Sequence, residues 1–517
     1  MNIPRTFSAV ICAAMVLPLQ AATFAPTRTD DPAPDGCLAG DCSLREAIIA
    51  ANEADGADVV ELAPGQLYLL QLDGVNSSPT TGDLDITSEI TLRGQGAILD
   101  GQSTGRILDV RANAAVTIEN LTLRNANTSL ATNGALNGGA MQVEDTVLTL
   151  RDVIFQGNAT QTLGGGLYVR QDSSVTIEDS AFVNNQGSNG GAIHSSSPLT
   201  LRNVLFQSNT AEQSGAAAYL VGTETNYQME EVSFISNTSS GNGGAMLFLG
   251  RNITLDGVLA SGNGTPADNG GFLGATATAH LKTITLRNAV VNGNDARDGG
   301  AVYVTDAEDQ LTIEHASFAD NSGTRDGGAL HVRGGEVRVT NATFAGNEAA
   351  DDGGAIYVSS GTVTLQHLTV SEGSGDGTAL AVIGSTGAAN VTLANNLLSG
   401  DCSVTVAVTV TSAGGNLEGP GDTCILTSAS DLTGLSGSDL GLLPLTGSPG
   451  PTETYPLTSQ SLARDQGEAA ICGAVNVDQL FEPRDSACDS GAREAEGLFS
   501  DSFEVIRSLG SNVTVAL

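Results

Sequence analysis

Amides and carboxylates recur at one fixed place in this sequence. Asn137, Asn189, Asn242, Asn269, Asp298, Asp326, Asp352 and Asp376 each stand just before a glycine opening. From Asp298 onward the amides become acids. If the positions stack as neighbouring strands, the acids lie about 5 Å apart. Acids so close repel one another and could be held by Ca2+, which takes several oxygen ligands. Asp298, Asp326 and Asp352 are therefore the metal candidates. The Gly-Gly-x-Gly-x-Asp calcium repeat is absent, and turn chemistry explains the column without an ion, because Asn and Asp tolerate left-handed backbone and cap their own turns. No cofactor follows firmly; Ca2+ is the one ion the acids could take.

A second column is aromatic. Tyr168, His194, Tyr219, Tyr303, His331 and Tyr357 share one position in successive repeats, interrupted by Leu247 and Gly274. Rings repeated on one outward face could stack against sugar rings. The plainer reading is that Tyr and His suit a half-exposed strand. Catalysis finds less support. There is one lysine, Lys282, and five histidines, and adjacent acid pairs include Asp30-Asp31, Glu230-Glu231 and Asp351-Asp352. Paired-acid hydrolysis needs two carboxyls about 5 to 10 Å apart, a condition that a stacked acidic chain meets by accident. No catalytic residue is assigned.

The elements that must position these residues are written about ten times. Six-residue openings begin at Gly138, Gly164, Gly190, Gly215, Gly243, Gly270, Gly299, Gly327, Gly353 and, degraded, Gly377, at intervals of 24 to 29 residues. Such a period marks a solenoid. The fourth and sixth positions of the opening are mostly apolar, as in Leu167 and Val169 or Val302 and Val304. Residues two apart on a strand share a face, so these point inward and the aromatic column points out. A second strand follows, as in Val175-Thr-Ile177, then a phenylalanine and, three residues later, an asparagine: Asn158, Asn185, Asn209, Asn237, Asn263, Asn294, Asn321, Asn347. Stacked asparagines at a turn bond to one another and to orphaned backbone groups. With no helical period and no leucine-rich consensus, the expected fold is an all-β parallel β-helix, one strand-turn coil stacked on the next.

Composition agrees. The 517 residues include 64 glycines and are only 4% aromatic, which suits a narrow, repetitive core in a chain that grows by stacking. Residues 1–22 read as a secretory signal, with Arg5, an apolar run from Phe7 to Leu19, and Ala21-Ala22. Without them the chain carries 20 basic and 58 acidic residues, a net charge of −38. That excludes nucleic acid as a partner. No segment is long and apolar enough for a transmembrane span. Six cysteines remain, in near pairs: Cys37 with Cys42, Cys402 with Cys424, Cys472 with Cys488, expected as local disulfides at the two ends.

In order, 23–36 reads as a linker and 37–85 as an N-terminal cap. The cap holds a helix at Cys42–Asn52, with Ser43 and Glu46 at capping-box spacing. Residues 86–400 are the repeats, 401–492 irregular closing coils, and 493–517 a tail. The longest turns, 275–284 and 382–391, are where a ligand wall would stand.

Cys42-Ser-Leu-Arg-Glu-Ala47 resembles the opening motif of CSLREA-domain secreted bacterial proteins. The Gly-Gly-Ala…Phe-x-x-Asn repeat is similar to that of polymorphic outer-membrane proteins. Ser461–Asp465, Asp478–Arg484 and Ala487–Ala492 resemble the closing motif of the same secreted proteins, and Gly497–Glu504 a short ending seen in some Gram-negative bacteria. The resemblance implies a right-handed, pectin-lyase-like β-helix, secreted or on the outer surface of a Gram-negative bacterium. It implies an adhesin-like protein that binds an extracellular glycan or a host or neighbouring cell. The alternative is a polysaccharide lyase or glycosidase. Lyases of this fold resemble one another in setting an Arg or Lys base beside Ca2+-binding aspartates, a grouping not evident here. A chain this short beyond the repeats has no room for an autotransporter barrel.

Overall fold

The computed structural model describes residues 21–495, except 73–77, 131–135, 224, 279, 373–377, 384–387, 406–407 and 448–451. The signal-like segment up to residue 20, the tail from 496 and parts of the 382–391 turn lie outside the described residues. Contacts divide the chain into two compact units. One comprises Met1–Leu255, Asn263–Asp268 and Leu273–Lys282; the other comprises Asp256–Gly262, Asn269–Phe272 and Thr283–Leu517.

In the first unit the opening of each repeat forms a three-residue strand. Met141, Leu167, Ile193, Ala218, Met246 and Leu273 pair in parallel, each directly over the last. The fourth and sixth positions are fully buried, as in Leu167 and Val169. The second strands form a longer parallel sheet, in which Leu148, Val175, Leu199 and Tyr227 share one register position. Between the two sheets Phe155, Phe182, Phe206 and Phe234 stack with centroids 4.5, 5.1 and 5.2 Å apart. Burying each such ring contributes about 2 to 3 kcal/mol.

The asparagine column is a ladder. Asn185 Nδ2 donates to Asn209 Oδ1 at 3.0 Å and to the carbonyl of Phe155 at 2.9 Å. Asn209 and Asn237 repeat the pattern, onto Phe182 and Phe206. Each amide thus satisfies backbone that no strand partner reaches. In the second unit, Val302, Leu330, Ile356, Leu380 and Cys402 lie at successive positions of the short strand or its neighbours in register. There Phe318 stacks on Phe344 at 4.8 Å, and Asn294, Asn321 and Asn347 form the ladder.

The double glycine has two separate causes. Gly164 adopts φ +69°, where a side chain is strained. A Cβ on Gly165 would stand 2.2 Å from the carbonyl oxygens of Gln186 and Gly191, so the coils close on bare backbone. This corrects one expectation. The left-handed residue of this turn is the first glycine, and among the described residues the Asn/Asp column before it has no positive φ. Left-handed non-glycine residues instead form a different column, between second and third strands: Asp152, Asp179 and Asn203 in the first unit, and Asn288, His315, Asn341, His367 and Asn395 in the second, all at φ 50° to 54°.

At the start, the helix Leu44–Glu53 has the expected capping box of Ser43 and Glu46 and buries Leu44, Ala47, Ile48 and Ala51. Residues 23–36, read as a linker, are packed into this cap. Thr23–Phe24 pairs in parallel with Val59–Val60, and buried Asp31 receives both Nε and Nη2 of Arg45 at 2.8 and 2.9 Å. At the far end, Gly437–Leu440 and Ala469–Ala474 are short helices among irregular turns. Three disulfides join Cys37–Cys42, Cys402–Cys424 and Cys472–Cys488, the expected pairs.

Candidate functional site

The outward position of the short strand was expected to be half-exposed, and in most coils it is not. His194, Tyr303, His331 and Tyr357 are all buried, while Tyr168 and Tyr219 are half-buried. The cause is the coil spacing, which brings rings of adjacent coils into contact. His194 lies 5.3 Å from Tyr168 and stacks on Tyr219 at 5.1 Å. In the second unit Tyr303 and Tyr357 meet His331 edge-on at 5.1 and 4.6 Å. The faces that a sugar would need are largely taken by neighbouring rings.

The acid column behaves differently in each position. Asp298 is fully buried and accepts from Nε of Arg325 at 2.7 Å and also from its Nη2; Arg297 lies 3.4 Å from it. Asp326 is half-buried, and its carboxyl is pushed up to about 6, first by burial and then by the charge of Asp298. The third group brought to them is His331. One ligand atom from each of Asp298, Asp326 and His331 lies within 4.8 Å of the others. His331 Nδ1 is 3.9 Å from Asp298 Oδ1, and neither ring nitrogen makes a hydrogen bond. Sequence reading missed His331 as a ligand because it sat in the aromatic column; its place three residues after the double glycine was the available signal.

A second acid group was missed altogether. Asp85 and Asp109 occupy the same outward position in the first two coils, in register with each other and then with Gln142. The apolar–Asp–apolar triplets Leu84–Ile86 and Leu108–Val110 were the signal. Asp109 accepts from Arg111 Nε at 2.9 Å and from Arg106 Nη2 at 3.1 Å, and Arg106 also bonds Asp83. Asp85 is 8% exposed, and its Oδ2 has no partner. Burial, followed by the charges of Asp83 and Asp109, pushes its carboxyl up to about 7. Both acids line a cavity of about 270 Å³ with Ile49, Asn52, Pro79 and Arg111.

Lys282, the one lysine, is buried and donates to Thr278 at 3.1 Å. His280, in the same turn, meets the Leu249 carbonyl at 3.0 Å. That turn presents no base beside an acid cluster among its described residues.

On the long sheet, solvent-facing side chains alternate in sign from coil to coil. Arg93, Glu119, Arg151, Glu178, Arg202 and Glu230 share one register position. Contacts run at 3.1 Å for Arg93–Glu119, 2.9 Å for Arg151–Glu178 and 3.4 Å for Arg202–Glu230. Beside them Thr91, Thr117, Thr149, Thr176 and Thr200 form an unbroken outward row.

Among known proteins, residues 146–336 match the right-handed β-helix region family, and residues 341–359 match the Chlamydia polymorphic membrane protein repeat. The chain is a right-handed parallel β-helix. It is 27% identical over 282 residues to the probable outer membrane protein pmp20 of Chlamydia pneumoniae, an alignment covering 50% of this chain and 16% of that protein. The chain thus spans far less than the full length of the relative it matches. Superposition on pectate lyase Pel9A covers 92% of this chain and 98% of that one, at 14% identity and a TM-score of 0.31. Among the described residues no helix is long and apolar enough to cross a membrane, which says nothing of a β-barrel.

Proposed function

We propose that this chain is a secreted or surface-exposed β-helix of a Gram-negative bacterium that acts without catalysis, as an adhesin-like protein binding an extracellular glycan or a cell-surface partner. The supporting observation is the long sheet's outward face, which repeats one threonine and one charge per coil in strict register. A periodic row of hydroxyls and alternating charges about 4.8 Å apart suits a polymer of hydroxylated units lying along the coils. Kinship with an outer membrane protein over half the chain points to the same setting, as does the CSLREA-like opening at Cys42. The signal-like start belongs to this reading.

A glycan array probed with the purified chain tests it, alongside incubation with uronate polysaccharides with and without Ca2+. Saturable binding without new unsaturated or reducing ends is the expected result. Turnover would replace this reading with the second one.

The second reading, a polysaccharide lyase or glycosidase, is favoured by one feature. Asp85 retains a proton near neutrality beside Asp109, whose oxygens are held by two arginines, and both line one cavity. Two carboxyls in unlike environments are the pattern of an acid and its partner in glycoside hydrolysis. Loss of turnover in Asp85→Asn would place the chemistry there.

A further inference from the structure

We propose that Asp298, Asp326 and His331 form a binding site for a divalent transition metal of the zinc class, occupied in the metal-free chain by the guanidinium of Arg325.

Three features converge on it. The first is the donor set: two carboxylates and one imidazole, each offering an atom within 4.8 Å of the others. The second is His331 itself. It is 3% exposed, and both ring nitrogens lack a hydrogen bond. A buried polar ring is ordinarily satisfied, so an imidazole left without a partner beside two acids marks a missing ligand. Tyr303 and Tyr357 contact the ring edge-on from the coils before and after, which fixes its direction before any ion arrives. The third is the nature of the present counter-charge. Arg325 neutralises Asp298 through a side chain that is 47% exposed, so it can swing into solvent without rebuilding the core.

The chemistry selects the ion. Ca2+ takes six to eight oxygens and gains little from an imidazole, whereas zinc binds His nitrogen and Asp oxygen at about 2.0 to 2.2 Å and accepts three protein ligands with a fourth position open. Bringing the three donors onto one ion requires Asp298 to turn away from Arg325. The arginine and the metal therefore exclude each other, and removing the arginine should help the metal.

The test is titration of the full chain, dialysed against chelator, with Zn2+ in competition with a chromophoric chelator, and separately with Ca2+. One Zn2+ per chain is expected, with no displacement by millimolar Ca2+. Affinity should fall at least tenfold in His331→Gln and in Asp326→Asn, and should rise in Arg325→Gln. Circular dichroism and the melting midpoint check that each variant is folded, and Asp326→Asn stands in should His331→Gln fail to fold. Absence of Zn2+ binding, unchanged binding in both ligand variants, displacement by Ca2+, or weaker binding in Arg325→Gln would each overturn the proposal.

Discussion

Arg484 Nη2 donates to Asn341 Oδ1 at 3.2 Å, although 143 residues of chain separate them. Asn341 is one of the left-handed corner residues of the second unit, and the returning chain runs along that corner. Asn341 Nδ2 donates to the Val477 carbonyl at 2.9 Å. The His315 ring stacks on Phe481 at 4.2 Å, and Thr343 Oγ1 donates to Gln479 Oε1 at 2.7 Å. Further on, Ala492 N donates to Thr369 Oγ1 and Gly491 N to the Asn395 carbonyl. The segment Asp478–Ala492 is thus a strap over the corners of four coils.

Arg484 is the strap's polar anchor. Its buried guanidinium also reaches Glu494 Oε2 at 2.9 Å and the carbonyls of Asp489 and Gly491. Arg484→Ala should destabilise the second unit by about 2 to 4 kcal/mol, because it strips the half-buried Glu494 and the carbonyls of Asp489 and Gly491 of their shared donor. Urea unfolding measures the loss, and limited proteolysis should show early cutting in residues 476–492.

The Cys472–Cys488 disulfide closes a separation of 16 residues beside the same strap. Replacing both cysteines with serine should cost about 3 kcal/mol and raise hydrogen exchange at Asn341 and Asn395. Exchange confined to 469–490 would show that the strap holds without the bridge.

Asn209 serves Asn237, Asn185 and the Phe182 carbonyl at once. Asn209→Ala leaves a buried carbonyl and the Asn185 backbone N–H without partners, and should cost about 3 kcal/mol in urea unfolding, as one or two orphaned groups do. A loss below about 0.5 kcal/mol would contradict a ladder role.

Two variants separate opposing pH effects. Asp85 has its folded value raised to about 7 from an ordinary 3.8, so the folded state keeps a proton that the unfolded state releases, and stability falls as pH rises from 4 to 7. Asp85→Asn should flatten that fall. His194 is held down to about 4 by burial, so the unfolded state takes up the proton first. Its contribution is full above pH 6.5 and is lost as pH falls toward 4; His194→Gln should remove that loss. Melting midpoints from pH 4 to 8 read both.

Arg151 stands between Glu119 and Glu178 in the charge column. Arg151→Glu puts three like charges in a row and should cost about 0.5 to 1 kcal/mol, fading in 1 M salt where screening extends only about 3 Å. Persistence of the full loss at high salt would point to packing instead.

Within one coil, the sequence alone was decisive. Alternation of period two tells inside from outside, so Leu167 and Val169, the phenylalanines, the asparagine ladder, the capping box at Ser43 and the three cysteine pairs could all be read without coordinates. Each depends on neighbours in sequence or on a position repeated in every coil. What alternation could not say is how much room the outside holds. Tyr303, His331 and Tyr357 point out of their strands yet are buried, because rings one coil apart fill each other's space. The repeat intervals vary from 24 to 29 residues, so only the folded register shows that Arg325 lands on Asp298, that His331 joins Asp298 and Asp326, or that Asp85 lies in line with Asp109. The strap from Asp478 to Ala492 has no period at all. Its partners lie up to 164 residues back, at His315, and a contact made once between distant segments leaves no pattern in a sequence, so tertiary packing alone decided it.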